Sequence, residues 1–498
     1  MRHVRVAVIG TGFSGLGMAA QLKRHGIDDF VVIERANDVG GTWRDNTYPG
    51  AACDIRTDLY SFSFNPNPDW KYRYGRQPEI LDYLRSTAKK FDLYPHILFD
   101  TEFEAADWIE NDALWNIRTS RETFTADVLI SGHGPLIDPV WPDIACLETF
   151  AGVRMHSARW NHDIDLAGKR IAVIGTGASA IQFVPELQKV AGQLTVFQRT
   201  PAWIVPRADR ETTAAHRERF RRFPLLQKVA RSTIFRLAEA RFLGFDHPRV
   251  GSLMQRFSQR FLESQIADPE LRAKLTPDYR IGCKRILISS TFYPALTREN
   301  VSLVTEPITS IDGNTLVTGD GTRREFDVLI AGTGFNATRP PVARLIRGRD
   351  GQTLEQHWQP HMAALHGTTV VDFPNLFLLV GPNTALGHNS IVYIIESQVD
   401  YVLKALDTMQ RKGARTIEPT AAAQVAYNAS LQKALIGSVW TSGGCSSYYV
   451  DAGGRNTTLW PKRAGLFRRS IRRFDSSQYV ISPKEPGEPS EHKEHSNA

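Results

Sequence analysis

Residues 4–15 read VRVAVIGTGFSG: an apolar strand run, then Gly10-Thr11-Gly12-Phe13-Ser14-Gly15, then a helix pattern. Residues 171–180 repeat it as IAVIGTGASA, 165 positions later, with Gly175 and Gly177 in the places of Gly10 and Gly12. A second strand run follows each loop and helix, at residues 30–34 (FVVIE) and 195–199 (TVFQR). These runs end on Glu34 and Arg199, again 165 apart. A glycine loop between strand and helix lets a pyrophosphate approach the backbone at a helix N-terminus, where the dipole and free N–H groups favour anions. Two such units predict an α/β protein with two Rossmann-like dinucleotide-binding domains.

A second echo supports this reading. Residues 127–134 (DVLISGHG) and 327–334 (DVLIAGTG) match at an offset of 200, each predicting a buried parallel strand that closes its domain at a glycine turn. The first domain is then expected to comprise residues 1–139 and 376–481, and the second residues 140–205 and 284–375. Residues 206–283 carry Leu, Phe and Ala at helical spacing with Arg between them, and predict a helical insertion. The Pro-, Glu- and Ser-rich stretch 482–498 predicts a disordered tail.

The residues that end the two second strands separate the ligands. Glu34 lies nineteen positions past Gly15 and would accept hydrogen bonds from ribose hydroxyls, which suits FAD. A carboxylate there would repel a 2′-phosphate, whereas Arg199 and Thr200 can grip one, which suits NADPH. The residues therefore read as those of an NADPH-dependent flavoprotein.

Composition bounds the alternatives. At 498 residues the chain is too long for one core. Four Cys are too few for a disulfide framework and lack zinc-ligand spacing, which predicts a reducing, cytoplasmic compartment and no metal. Cys53, Cys283 and Cys445 read as buried inert thiols. No apolar run is long enough for a membrane helix, and the strand pattern begins at once, so no signal peptide is expected. The formal net charge is +7, and residues 206–250 hold eleven Arg and Lys against five Asp and Glu. No recognition motif accompanies that excess, so nucleic acid is not an expected partner. A solvated face on a mobile helical lid is expected, rather than a membrane-bound one.

Three further motifs carry a resemblance. Phe150-Ala151-Gly152-Val153-Arg154-Met155-His156-Ser157-Ala158-Arg159-Trp160 resembles the FxGxxxHxxxW fingerprint of type I Baeyer–Villiger monooxygenases, with Asn161 following where Pro or Asp is usual. The stretch from Gly40-Gly41-Thr42-Trp43 through Tyr48-Pro49-Gly50 to Asp54 is similar to a second pattern of those enzymes. Lys284-Arg285, ahead of TFYPALTRENV, is similar to the segment that carries their active-site arginine. As physical chemistry, a linker between two cofactor domains needs a flexible glycine and anchoring aromatics. Gly152, His156 and Trp160 therefore suit a hinge as well as they suit chemistry.

The resemblance implies an enzyme using FAD, NADPH and O2 to insert one oxygen beside a ketone carbonyl through a C4a-peroxyflavin, giving an ester or lactone. It implies Arg285 as the fixed cation beside the oxygen nucleophile, paired with Asp54, which also contacts the nicotinamide amide. It puts Lys284 on the NADPH 2′-phosphate with Arg199 and Thr200. Gly41, Trp43 and Tyr60 go to the flavin domain, and Asn383 to a returning segment beneath the flavin. Arginine suits the task because it stays charged in a dry site and orients several donors. N- or S-oxygenation by the same cofactor has less need of Arg285. A reductase of this architecture typically shows a redox-active CxxC, and the chain has none. Cyclic, linear and aryl ketones fit the sequence equally well. His388 suits either a pocket wall or a satisfied loop.

Overall fold

The strand Arg2–Ile9 is continuously buried from Val6, because it lies inside a sheet covered on both faces and every side chain must be apolar. The computed structural model describes residues 1–445, 447 and 449–483. Among them, the first sheet runs in the order Ile346–Arg347, Phe103–Ile109, Leu114–Thr119, Thr123–Ser131, Arg2–Ile9, Phe30–Ile33, Ile97–Leu98. Leu376–Leu378 also pairs with Thr123–Ser131. The pairing is parallel except around Leu114–Thr119, which meets both neighbours antiparallel. A second, all-parallel sheet has the order Val301–Val304, Gln193–Phe197, Arg170–Ile174, Val328–Ala331, Val153–His156.

Both echoes of the sequence land in equivalent places. The strand before each glycine loop lies between the second strand and the DVLI strand: Ile9 pairs with Ile33 and Ser131, and Ile174 with Phe197 and Ala331. The expected division of the chain meets one difference. Ile346–Arg347 pairs with Ala106 and Asp107, so the chain rejoins the first sheet earlier than residue 376. A two-residue strand carries too little periodicity to show its partner. The expected start of the tail is also corrected, since Ser482 and Pro483 pair with Thr416 and Ala414 in a hairpin ladder. The rest of 482–498 lies outside the described residues.

Residues 206–283 contain the helices Ala214–Arg222, Pro224–Arg241, Leu243–Asp246, Pro248–Gln265 and Pro269–Leu275. Much of their charge is solvated, as at Arg219, Arg221, Arg222, Lys228 and Arg236. The insertion is nonetheless docked on the first sheet's domain through several side chains. Gln227 donates to the Asn67 carbonyl at 2.6 Å, and Arg231 Nη1 donates to the carbonyls of Asp58 and Ser61, each at 2.9 Å. Arg231 Nη2 also faces the Glu396 carboxylate at 3.5 Å, and Glu396 is 7% exposed. Truncating one member of a buried ion pair leaves the other charge unsolvated. Arg231→Ala is thus expected to cost about 3 kcal/mol, read by chemical denaturation with tryptophan fluorescence; a loss under about 1 kcal/mol would match a mere surface pair. Among the described residues no helix is long and apolar enough to cross a membrane.

Candidate active site

The first glycine loop is shaped by backbone contacts that only hydrogen side chains allow. Gly10 has φ +87°, and a Cβ on Gly15 would lie 1.8 Å from the Gly10 carbonyl oxygen. Gly132, the first glycine of DVLISGHG, packs on the same turn: a Cβ on it would lie 2.7 Å from the Ile9 carbonyl oxygen and 2.9 Å from Gly15 N. Gly41 closes over this loop, where a Cβ on it would lie 3.0 Å from the Gly12 Cα. At Gly12 itself a Cβ meets nothing nearer than 3.9 Å, and the same holds at Gly177. Each loop therefore presents open backbone at a helix start, a cradle that fits a phosphate. In the second loop Gly175 has φ +103° and packs on Gly332, while the third position is Ala180.

Glu34 is 4% exposed and more committed than expected. Its Oε2 accepts the Thr11 N–H at 3.1 Å and the Thr11 hydroxyl, and Oε1 accepts Arg44 Nη1 at 2.8 Å and the Ala36 N–H at 3.0 Å. A carboxylate has about four acceptor positions, and these four donors come from residues 11, 36 and 44, so Glu34 holds the loop in shape. Beside it opens a cleft of about 330 Å³ lined by Arg35, Ala36, Arg44, Asp45, Arg159 and Trp160. A second cleft, about 340 Å³ and lined by Trp108 and Arg349, touches none of the motif residues. The indole of Trp43 donates to the Tyr60 hydroxyl at 3.0 Å, and burial pushes the Tyr60 phenol far above its ordinary range, so it stays protonated.

The fingerprint residues are held by close local contacts. His156 Nδ1 accepts the Ala158 N–H at 3.1 Å, and burial pushes its pKa down to about 4, so the ring is neutral near pH 7. Trp160 packs on Phe183 and lines the 330 Å³ cleft, and Gly152 lies against the Asp327 carbonyl. Asn383 differs from expectation. Its N–H donates to Thr457 O at 2.8 Å and its side-chain amide to the carbonyls of Asn456 and Leu459, so those donors pin one loop to another. His388 is a satisfied loop residue, bonded to Glu239 at 3.2 Å, and Glu239 also accepts the N–H groups of Ala464 and Gly465.

Two cations lie close enough for their charges to interact. Arg199 and Thr200 follow the strand Gln193–Phe197. Burial first, and then the charge of Arg199, lower the pKa of Lys284, with Asp278 offsetting part of that field. Lys284 is half-buried and Arg199 exposed, and two like charges brought together suit an anion placed between them. Lys284 Nζ also stands 5.1 Å from the centre of the Tyr279 ring.

Next to Lys284, Arg285 turns toward the first domain. Its Nε donates to Asp54 Oδ2 at 3.0 Å and its Nη2 donates to the same oxygen, across 231 positions of sequence. Arg285 is carried by a two-rung parallel ladder that pairs Ile204–Val205 with Leu287–Ile288. Asp54 is held by a segment clamped by Gln182 of the second glycine loop's helix and by Arg207 of the insertion. Gln182 accepts from Tyr48 at 3.0 Å and donates to Ala52 O at 2.9 Å, and Arg207 reaches Cys53 O at 3.4 Å. Sequence reasoning missed Gln182 and Arg207. Gln182 is one turn into the helix of the second glycine loop, a position that signals domain contact, whereas Arg207 was hidden in a basic run.

Cys283 and Cys445 are joined in a disulfide, which corrects their reading as inert thiols and weakens any inference from cysteine count to compartment. Cys53, beside Asp54, is a buried free thiol whose pKa burial pushes up.

Two dinucleotide cradles of different charge, bridged by an arginine–carboxylate pair, define a flavoprotein that uses a nicotinamide cofactor. The chain belongs to the flavin-binding monooxygenase-like (FMO-like) family, whose model matches residues 3–264. It is 49% identical over 488 residues to a Baeyer-Villiger monooxygenase of Streptomyces coelicolor, covering 98% of this chain and 94% of that one. It is 50% identical over 484 residues to a Baeyer-Villiger monooxygenase of Pseudomonas aeruginosa, covering 97% and 92%. The crystal structure of cyclohexanone monooxygenase from Rhodococcus sp. Phi1 bound to NADP+ superposes with a TM-score of 0.88 at 29% identity, covering 97% of this chain and 100% of that one.

Proposed function

We propose that this chain is an FAD- and NADPH-dependent monooxygenase that inserts one oxygen atom of O2 beside a ketone carbonyl, giving an ester or lactone. The observation that carries the reading is the Asp54–Arg285 pair, which spans from the first nucleotide domain to the neighbour of Lys284. Gly10, Gly12, Gly15 and Gly41 would cradle the FAD pyrophosphate, and Glu34 would accept from a ribose hydroxyl. Trp43 and Tyr60 back the flavin, and Asn383 holds the returning loop. Gly175 and Gly177 take the NADPH pyrophosphate, and Arg199, Thr200 and Lys284 its 2′-phosphate. Residues 1–139 and 376–481, with Ile346–Arg347, then form the FAD domain. Residues 140–205 and the rest of 284–375 form the NADP domain, with 206–283 inserted. Use of both cofactors supports a cytoplasmic location.

The flavin, when bound and reduced by NADPH, supplies the activated oxygen. Arg285 holds a permanent positive charge where an oxygen nucleophile adds to the ketone and negative charge builds on the carbonyl oxygen. Asp54 fixes the orientation of that guanidinium, which as a lone long side chain would sample many rotamers, and accepts from the nicotinamide amide. Trp203, Phe242, Phe245 and Trp440 belong to a buried apolar cluster that includes Cys283, the residue before Lys284. The test is oxygen uptake across a ketone panel with product identification: equimolar consumption of NADPH and O2 with ester formation is expected, and uptake indifferent to every ketone would overturn the reading.

The phosphate assignment has its own test. Replacing Arg199 and Lys284 together with alanine is expected to raise the KM for NADPH about 10- to 100-fold, the worth of one or two charge-assisted hydrogen bonds, and leave that for NADH nearly unchanged. Because the Lys284 pKa is lowered, its charge is lost at lower pH than for an ordinary lysine. The KM for NADPH therefore rises toward alkaline pH, and Lys284→Arg flattens that limb. An equal loss with both cofactors would show that these residues do not read the phosphate.

A further inference from the structure

We propose that the Cys283–Cys445 disulfide is a positioning crosslink that holds Lys284 and Arg285 in register with the segment around Trp440, so that thiol reduction loosens NADPH binding and uncouples oxygen use from ketone oxidation. For the second of these effects it rests on the function proposed above. Cys283 is 1% exposed and immediately precedes Lys284. On the other side of Arg285 the two-rung ladder begins at Leu287. The stretch Lys284-Arg285-Ile286 is therefore a three-residue span held at one end by a short ladder and at the other by a covalent bond.

The bond reaches across 162 positions to a loop that packs directly on this span. Arg280 N–H donates to Gly443 O at 3.0 Å. A Cβ on Gly443 would lie 2.6 Å from the Cys283 Cβ, so the two backbones meet without side-chain padding. The same loop carries Trp440, stacked on Phe245 of the insertion with centroids 5.4 Å apart and planes 22° apart. The segment around Trp440, the insertion and the arginine segment thus converge on one sulfur–sulfur bond.

Cys445 is half-buried whereas Cys283 is enclosed, so a reducing thiolate attacks the Cys445 sulfur. With a dithiol reagent the step balances: two electrons and two protons pass to the protein, which gains two thiols, and the reagent becomes its cyclic disulfide. A span bounded by a ladder of two residues then gains rotamer and backbone freedom on the side of Lys284. Displacement of about 1 Å at a positioned catalytic group costs up to about 10²-fold in rate.

The experiment uses the full chain loaded with flavin. Maleimide labelling under denaturing conditions is expected to count two free thiols, Cys53 and Cys146, before dithiothreitol and four after it. Reduction is expected to weaken NADP+ binding, read by flavin fluorescence, and to lower ester formed per NADPH about tenfold, with hydrogen peroxide making up the difference. Air reoxidation should restore both. Cys445→Ser should reproduce the reduced state and no longer respond to dithiothreitol, while Cys146→Ser should behave as the parent. If Cys445→Ser does not fold, the reduction and reoxidation cycle on the parent chain carries the test alone. Four free thiols in the air-oxidised protein, or unchanged NADP+ affinity and ester yield after reduction, overturn the crosslink. A redox-dependent NADP+ affinity without ester from any ketone would uphold the crosslink and refute the proposed reaction instead.

Discussion

Replacing Arg285 with alanine is expected to lower kcat for ketone oxidation by about 10²- to 10³-fold, the usual cost of removing one preorganised stabiliser of developing negative charge. NADPH should still reduce the flavin, because the phosphate contacts assigned to Arg199, Thr200 and Lys284 stay in place. The oxygen consumed should then leave as hydrogen peroxide rather than ester. Arg285→Lys should rescue little. Arg285 reaches Asp54 Oδ2 from both Nε and Nη2, a geometry that fixes the guanidinium plane, and a single ammonium cannot reproduce it. Stopped-flow reduction of the flavin separated from product analysis decides the matter. Ester formation within about tenfold of the parent rate would mean that Arg285 serves only as a bridge between domains, a role for which loss of one partly exposed ion pair is small.

Gly15→Ala is the second large effect, and it acts on the fold. The added methyl would stand 1.8 Å from the Gly10 carbonyl oxygen and 2.9 Å from its carbon. Gly10 cannot retreat, since its N–H donates to Ile33 O at 2.8 Å and Gly132 N–H donates to Ile9 O at 2.9 Å. Strand and helix must separate, with an expected loss of about 3 kcal/mol or more and no retained flavin. The second loop supplies the control. Ala180 occupies the corresponding position there, and a Cβ on Gly332 would meet its methyl at 3.4 Å, so that loop is built to accept a side chain. Ala180→Gly is expected to cost only about 1 kcal/mol. Full flavin content and a parental unfolding midpoint in Gly15→Ala would refute the account of this loop.

Legibility differed from residue to residue. The glycine loops were readable because the strand, the turn and the helix are neighbours in sequence and the requirement for glycine is local. Glu34 was found as an acid at the right distance, yet its four donors were not, because Arg44 reaches it only once residues 40–45 fold over the loop. Asp54 and Arg285 were reached through motif resemblance alone. Asn383 was placed in the right loop, but its donors turn toward residues 456–459, and nothing local announces that choice. In the insertion, Arg231 and Glu239 looked like two more surface charges. Helical periodicity marks which face is apolar; it does not mark which charged side chain will meet Glu396 or His388 in another domain.

What the amino-acid sequence determined by itself was the pair of nucleotide folds and the difference between their ligands. Strand periodicity, tight turns and a single acid or arginine at the end of a strand depend on contacts within about thirty residues. The tertiary structure alone decided that Cys283 joins Cys445 and that Gln182 and Arg207 clamp the acidic segment, and it set the geometry in which Asp54 meets Arg285, a pairing that only the motif resemblance had implied. Those contacts close loops of more than one hundred residues. Their partners are selected by how two sheets and an inserted set of helices pack together, which no local pattern in the chain encodes.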